Sequence, residues 1–569
     1  MFYDLYTQAG KNLSGIPWQN YPRPQMRRNS FFNLNGIWQF TVQPEPELPH
    51  LYERTILVPF CPESLLSGVH TCFPQGSFLF YRRTFTLPAG FVQNRVLLHI
   101  GAADQFLDCF LNGEQIGSHE GGYEAMTFDL TCALKEQNEL VLRVKDDLRS
   151  HVQPYGKQVS KRGGMWYTPV SGIWQTVWLE SVPEKYIHRL EILADGEQAV
   201  IDTKDRTLFG TVTVHTPQGL IKIPLEEGRA VVRPENPRLW SPEDPYLYFF
   251  AVKTDEDCVE SYFALRFLSI QKINGFTRLC LNGKPFFFHG VLDQGYFSDG
   301  LFTPAAPECY EQDIRTMKEL GFNTLRKHIK LEPEEFYYQC DRLGMVVFQD
   351  MVNNGDYKFM RDTLLPTLGF QSRRDSKMHP DPDTRKAFLR GMEATVTQLK
   401  NHPCICLWTI FNEGWGQFDA SQVYAHLRSL DASRFIDTAS GWFRGGDTDV
   451  DSRHIYFGPW RLRAGEKPLL LTEFGGACLG VEGHMFHPEK AYGYSTCKNQ
   501  KELEQRLLSM YEKYVLPAAS KGLCGAIYTQ LSDVEDEING LITWDRQIVK
   551  VNAAVLRAIA KELQHAVET

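Results

Sequence analysis

The sequence predicts a multidomain chain with an N-terminal β-sandwich of the jelly-roll kind, an immunoglobulin-like β-sandwich, and a C-terminal (β/α)8 TIM barrel. Three observations predict it. At 569 residues the chain is too long for one hydrophobic core. Before about residue 270, short apolar segments alternate with turn signals. After it the rhythm becomes helix, glycine, strand, repeated about eight times in roughly 300 residues.

The first sandwich is expected over residues 1–182. In RVLLHIGAADQFLDCFLNGEQIG the apolar runs 97–100 and 106–111 are separated by a polar turn, and Asn112-Gly113 is a strong hairpin signal. The same pattern returns in NELVLRVKDD and IWQTVWLESV. Residues 183–270 hold TLFGTVTVHT and YLYFFAVKT, the right length for a small immunoglobulin-like sandwich. Pro234, Pro237, Pro242 and Pro245 break any helix there.

The barrel is expected over residues 271–569. Tyr310, Ile314, Met317 and Leu320 recur at helical spacing before Gly321. Gly344 stops a second helix ahead of the run 345–348. Phe388, Met392, Val396 and Leu399 line a third, and the run 404–411 that follows is apolar enough for a parallel strand covered on both faces. A first strand near 287–291, a second in NTLRKH, and runs at 435–438, 455–457, 469–472 and 524–529 complete about eight βα units.

Composition narrows the function. The chain carries 60 basic and 69 acidic residues, a net charge of −9, without a polybasic run. Nucleic acid and anionic membranes are therefore excluded as expected partners. No apolar stretch reaches a membrane span, and the first residues do not read as a signal peptide. Thirteen scattered cysteines fit reduced, mostly buried thiols in a cytoplasmic protein. No phosphate-cradling glycine loop or close His/Cys set appears, so no cofactor and no metal are expected. Nothing marks an oligomer interface, and a homo-oligomer stays open.

Barrel active sites lie at the C-terminal ends of the strands. The fourth apolar run ends in Phe411-Asn412-Glu413-Gly414 and the seventh in Thr472-Glu473-Phe474-Gly475. One Glu after a strand is usually a cap or a surface residue; two at one mouth are a pair of facing carboxylates. Cleavage of a glycosidic bond needs such a pair, one to protonate the leaving oxygen and one to meet the developing cation. Trp408 and Trp415 flank Glu413 and offer an apolar wall or a sugar platform, and Asn412 offers an amide donor. Asp293 and Gln294, after the first strand, read as sugar contacts or as a structural turn.

At these residues the chain resembles glycoside hydrolase family 2. KNHPCICLWTIFNEG is similar to the family's acid/base segment and LLLTEFGG to its nucleophile strand. FFNLNGIWQF, YRRTFTLP and TPVSGIWQTVWLE resemble its N-terminal sugar-binding-type sandwich, NPRLWSPEDPYLY its middle domain, and LNGKPFFFHGVLDQGYFSDG the opening of its barrel. The resemblance spans nearly the whole chain. It implies a retaining exo-β-glycosidase acting on a carbohydrate or glycoconjugate by double displacement, with Glu413 as acid/base and Glu473 as nucleophile. Asn412 would contact the sugar's 2-hydroxyl and Arg326 would support the nucleophile. Tyr456 matches a tyrosine beside the nucleophile, or is a packing aromatic.

The chain departs from the family pattern after the eighth strand. Where members often carry a tryptophan, AIYTQLSDVEDE offers Tyr528 and Gln530. The glucuronidase Asn-x-Lys pair has no counterpart in EINGLITWDRQ, and Trp544 reads as pocket rim or loop support. The implied sugar is a β-galactoside or a β-hexuronide. Residues 353–383 form an insertion expected to rim the pocket. Transglycosylation on the same site, or a non-catalytic carbohydrate-binding protein on a spent barrel, are the rival readings.

Overall fold

The computed structural model describes residues 4–370, 375–457 and 460–568. A six-stranded and a four-stranded antiparallel sheet, both formed before residue 183, enclose a core that includes Trp38, Phe40, Tyr81, Leu98 and Leu142. Strands Phe106–Leu111 and Glu114–Glu120 pair across Asn112-Gly113. Those two residues take positive φ, 53° and 86°, as a type I′ hairpin turn requires. A three-stranded and a four-stranded sheet follow between Glu191 and Phe263, around Val212, Phe250 and Val252. Next comes a small meander, Leu268–Ile273, Phe276–Leu281 and Lys284–Pro285. Arg278 from it donates to the carbonyls of Ala519 and Leu523, at the start of the last barrel strand.

The barrel has eight parallel strands: β1 Phe288–Asp293, β2 Thr324–Lys327, β3 Val346–Asp350, β4 Ile405–Asn412, β5 Phe435–Ser440, β6 Asp451–Ile455, β7 Leu469–Gly475 and β8 Leu523–Thr529. Every residue of β4 is buried, as its apolar run requires of a strand covered by barrel core and helices. The sheet runs β5-β4-β3-β2-β1-β8-β7-β6. Among the described residues its ends share no ladder and meet through a backbone bond from the Asp449 N–H to the Ile436 carbonyl and through side chains. Ser452 donates to Asp437, and Thr438 to the Asp447 carbonyl.

Two expectations are corrected. The sixth strand is Asp451–Ile455 rather than 455–457, so Tyr456 follows it instead of lying in it. Among the described residues β5 and β6 are followed by loops, not helices, so the βα alternation is incomplete. Gly441, Gly445 and Gly446 weaken helix after β5, and Pro459, Gly465 and Pro468 do so after β6.

The helices that do form behave as their sequences dictate. Glu308–Glu319 buries Tyr310, Ile314 and Met317, with Glu308 and Glu311 in its first turn and Lys318 in its last, matching the helix dipole. Glu334–Leu343 ends at Gly344 in the left-handed conformation, φ 73°. Pro382–Leu399 starts at Asp381, whose carboxylate accepts from the Thr384 N–H. The smaller sandwich docks through Asn401, whose amide donates to Leu190 and accepts from Ile192, and through Trp240, which donates to the Asp341 carbonyl. The first sandwich reaches the barrel mouth through Tyr155, which donates from its N–H to Asn353 and from its hydroxyl to Gly355.

Candidate active site

Local backbone geometry aims both carboxylates. Past β4 the chain turns sharply: Glu413 sits at φ 52° and Gly414 at φ 76°. A Cβ on Gly414 would meet the Phe443 ring at 2.2 Å, so only glycine fits this turn. The Glu413 N–H donates to the Ser440 carbonyl at the end of β5, fixing an otherwise unfavourable conformation. On β7 the register against β6 shifts by one residue, so that Glu473 stands opposite His454. Such a bulge re-aims the side chain that follows it.

The two carboxylates and His454 converge. One oxygen of each Glu and one ring nitrogen all lie within 4.8 Å of one another. His454 Nδ1 is 2.8 Å from Glu413 Oε1, and its Nε2 is 3.6 Å from Glu473 Oε1. That nitrogen also lies 3.1 Å from Ser440 Oγ, which in turn donates to Thr472 Oγ1. Arg326 is fully buried at the barrel centre. It donates to Glu473 at 2.9 Å, to Asp350 at 3.0 Å and to the Asn412 Oδ1 at 2.9 Å. With its oxygen so engaged, the Asn412 amide has Nδ2 to spare as a donor. Tyr456, stacked on Tyr494 at 3.9 Å, donates its hydroxyl to Glu473 Oε2.

These surroundings push the two carboxyls apart in acidity. Burial raises Glu413, with the neighbouring Glu473 charge adding to the rise and the His454 hydrogen bond opposing it. Burial acts upward on Glu473 too. There it is outweighed by His454, Arg326 and the Tyr456 hydroxyl, which hold the group well below the usual carboxylate range. The two carboxyls are thus displaced in opposite directions, Glu413 toward the protonated form and Glu473 toward the anion. His328, whose Nδ1 is 2.9 Å from Asp350, is pushed down to about 4 by burial.

The remaining residues expected from sequence fall elsewhere. Trp408 points into the helix layer and donates to Asp431, so it is neither wall nor platform. Asp293 is taken by Lys327 at 2.6 Å in a buried network with Glu332 and Lys330. Gln294 donates to Gln530 at 2.8 Å, an amide pair bridging the ends of β1 and β8. Tyr528 packs against Phe474 and beneath Gly475, and Trp544 is a buried core residue beside Arg546. For Trp408, Asp293 and Tyr528 strand alternation, and for Trp544 loop packing, turns the side chain from the mouth.

Sequence reasoning missed His454, Asp350 and the contribution of the first sandwich. His454 would have emerged by reading the end of β6 with its true bounds. A cavity of about 860 Å³ opens over Glu413, His454 and Tyr456. Met165 of the first sandwich lines it, with Phe359, Leu364 and Leu368 of the 353–383 insertion, of which residues 371–374 lie outside the described residues. Trp166 stacks on Trp415 at 5.3 Å. Glu413, His454 and Glu473 also form a set able to ligate a divalent cation. The fixed charge of Arg326 against Glu473 disfavours a second cation there.

A parallel barrel with paired carboxylates at its C-terminal mouth defines the class of barrel glycosidases. The model of the glycosyl hydrolases family 2 TIM barrel domain matches residues 272–564, and the chain belongs to that family. It is 23% identical over 394 residues to a β-galactosidase of Thermoanaerobacter pseudethanolicus, covering 64% of this chain and 49% of that one. It is 23% identical over 445 residues to a β-glucuronidase of Bacteroides fragilis, covering 70% of this chain and 59% of that one. The chain thus spans about half the length of these relatives. Among solved structures, a β-glucuronidase from an uncultured Clostridium superposes with TM-score 0.71 at 19% identity, covering 97% of this chain and 100% of that one. A β-galacturonidase from Eisenbergiella tayi bound to galacturonate gives 0.67 at 18%, covering 97% and 99%. At these identities the structural likeness concerns the fold.

Proposed function

We propose that the protein is an exo-acting, retaining β-glycosidase that hydrolyses a terminal β-linked galactoside or hexuronide. The observation that carries this is the separation of the two carboxyls, within 4.8 Å, with opposite displacement of their acidities. Retaining enzymes hold the pair roughly 5–5.5 Å apart, and inverting ones farther, to admit a water.

In the first step Glu413 gives its proton to the glycosidic oxygen as the bond to C1 breaks. Glu473 attacks C1 from the opposite face, forming a glycosyl ester and freeing the aglycone as an alcohol. In the second step Glu413, now ionised, takes a proton from water. The resulting oxygen displaces Glu473 from C1, and the anomeric configuration of the substrate returns. Asn412 is positioned to donate to the sugar's 2-hydroxyl, and Arg326 and Tyr456 hold Glu473 as the free anion between turnovers. A reducing, cytoplasmic setting is supported by cysteines that are all unpaired and mostly buried. Among the described residues no helix is long and apolar enough to cross a membrane.

The test is proton NMR of the first-formed sugar from chromogenic β-glycosides, together with Glu473→Gln. The β-anomer should appear first, and the variant should bind sugar without turnover. Initial release of the α-anomer, or unchanged hydrolysis by Glu473→Gln, would overturn the reading.

A further inference from the structure

The first sandwich sets a buried cation beside the segment that carries Glu413. Lys157 is 8% exposed, and among the described residues no carboxylate lies at ion-pair distance from its ammonium. The other buried lysines are all neutralised: Lys327 by Asp293 and Glu332, Lys330 by Glu332, and Lys550 by Asp533. Burying an ammonium without a counter-ion is costly unless the site awaits one. The ammonium stands 5.4 Å from the centroid of Trp415, two residues beyond Glu413, and 5.8 Å from that of Tyr167. These rings offset a part of the desolvation cost without neutralising the charge.

Its placement is rigid. Tyr155 and Gly156 dock on Asn353, and a Cβ on Gly156 would come within 3.0 Å of the Ile329 carbonyl. Tyr167 donates its N–H to the Lys157 carbonyl. The Lys157 charge acts on Glu413, His328 and Glu537, carried by segments that follow β4, β2 and β8. Glu537, a rival partner, already accepts from the Tyr167 hydroxyl and the Asn539 amide.

Resting on the proposed glycosidase function, we infer that Lys157 binds an anionic group carried by the substrate's sugar, making the preferred substrate a hexuronide. The recognising charge comes from the sandwich, not from the loop after β8.

The test compares wild type, Lys157→Met and Lys157→Arg on p-nitrophenyl β-glucuronide, β-galacturonide, the two neutral β-hexosides and a 6-sulfated β-galactoside. Wild type should favour a uronide, and Lys157→Met should lower kcat/KM on it by roughly 10–100-fold. The loss on the neutral sugars should be at least tenfold smaller, and Lys157→Arg should recover much of the rate. Preference for the sulfated sugar would overturn the hexuronide assignment. An equal loss on charged and neutral sugars would make Lys157 structural and overturn the inference. So would a wild-type preference for neutral hexosides, which leaves the glycosidase function standing; no cleavage of any β-glycoside would instead remove that function. Should Lys157→Met fold poorly, calorimetry of galacturonate and galactose on Glu473→Gln decides. Tighter galacturonate binding that weakens with salt is expected, and equal binding of the two overturns the inference.

Discussion

His454 and Glu413 share a 2.8 Å hydrogen bond, while the far side of the same imidazole faces Glu473. One ring therefore touches both carboxyls of the pair. It lowers Glu413 against a background of burial that raises it, and it lowers Glu473 against the same background. His454→Ala is expected to move both limbs of the kcat/KM pH profile to higher pH. Without the ring, Glu473 protonates at a higher pH and Glu413 keeps its proton to a higher pH. A profile in which only one limb moves would show that His454 serves one carboxyl alone.

Removing the acid has a different signature. Glu413→Gln should lower kcat by about 10²–10⁴-fold on sugars with poor leaving groups. The loss should be smaller with a dinitrophenolate, which departs without a proton. The alkaline limb, set by the raised Glu413, should flatten. An unchanged alkaline limb would assign it to another group.

Arg326 couples stability to catalysis. Arg326→Met leaves Asp350 and Glu473 facing each other without their shared cation. Breaking a buried pair in this way costs about 3–5 kcal/mol, readable as a lower urea midpoint. In the intact protein the Glu473 pKa is held below its unfolded value, so the group contributes stability that is full above the unfolded pKa and fades as pH falls through the folded one. The stability gap between wild type and variant should therefore narrow on acidification. A constant gap from pH 7 to pH 3 would contradict this.

The insertion after β3 should govern the aglycone. Phe359 and Leu368 are both exposed at the cavity that holds Glu413. Leu368→Ser and Phe359→Ser are expected to raise KM for bulky aryl glycosides severalfold, while methyl glycosides change little; each lost apolar contact is worth about 1–2 kcal/mol. Equal effects on both would place the insertion outside the substrate path.

Much of this was legible in the sequence because it rested on local rules. Asn112-Gly113 declared its hairpin, and Gly344 its helix stop. The apolar run leading to Asn412-Glu413 located β4, and reading the residue past each run found both carboxylates. The errors also have physical causes. Strand six is only half-buried, so apolarity did not mark Asp451–Ile455, and His454 was missed with it. Trp408, Tyr528 and Asp293 lie at or near strand ends but turn outward, which strand polarity alone does not reveal. Lys157 lies some 250 residues from Glu413 and is joined to it only by how two domains dock.

The unladdered junction between β5 and β6 carries a consequence for the chemistry. Glu413 follows β4 on one side of this seam, and Glu473 stands on β7 on the other. Around the long way, continuous backbone ladders fix their positions; across the short way a backbone bond from Asp449 to Ile436 and a set of side-chain contacts do. The gap between nucleophile and acid is thus spanned by His454, by Ser440 with Thr472, and by Arg326 through the barrel axis. A wall stitched this way can breathe without unzipping a strand pair. The distance on which the stereochemical outcome depends is a tension held by a few polar contacts, and each is open to adjustment by a single substitution.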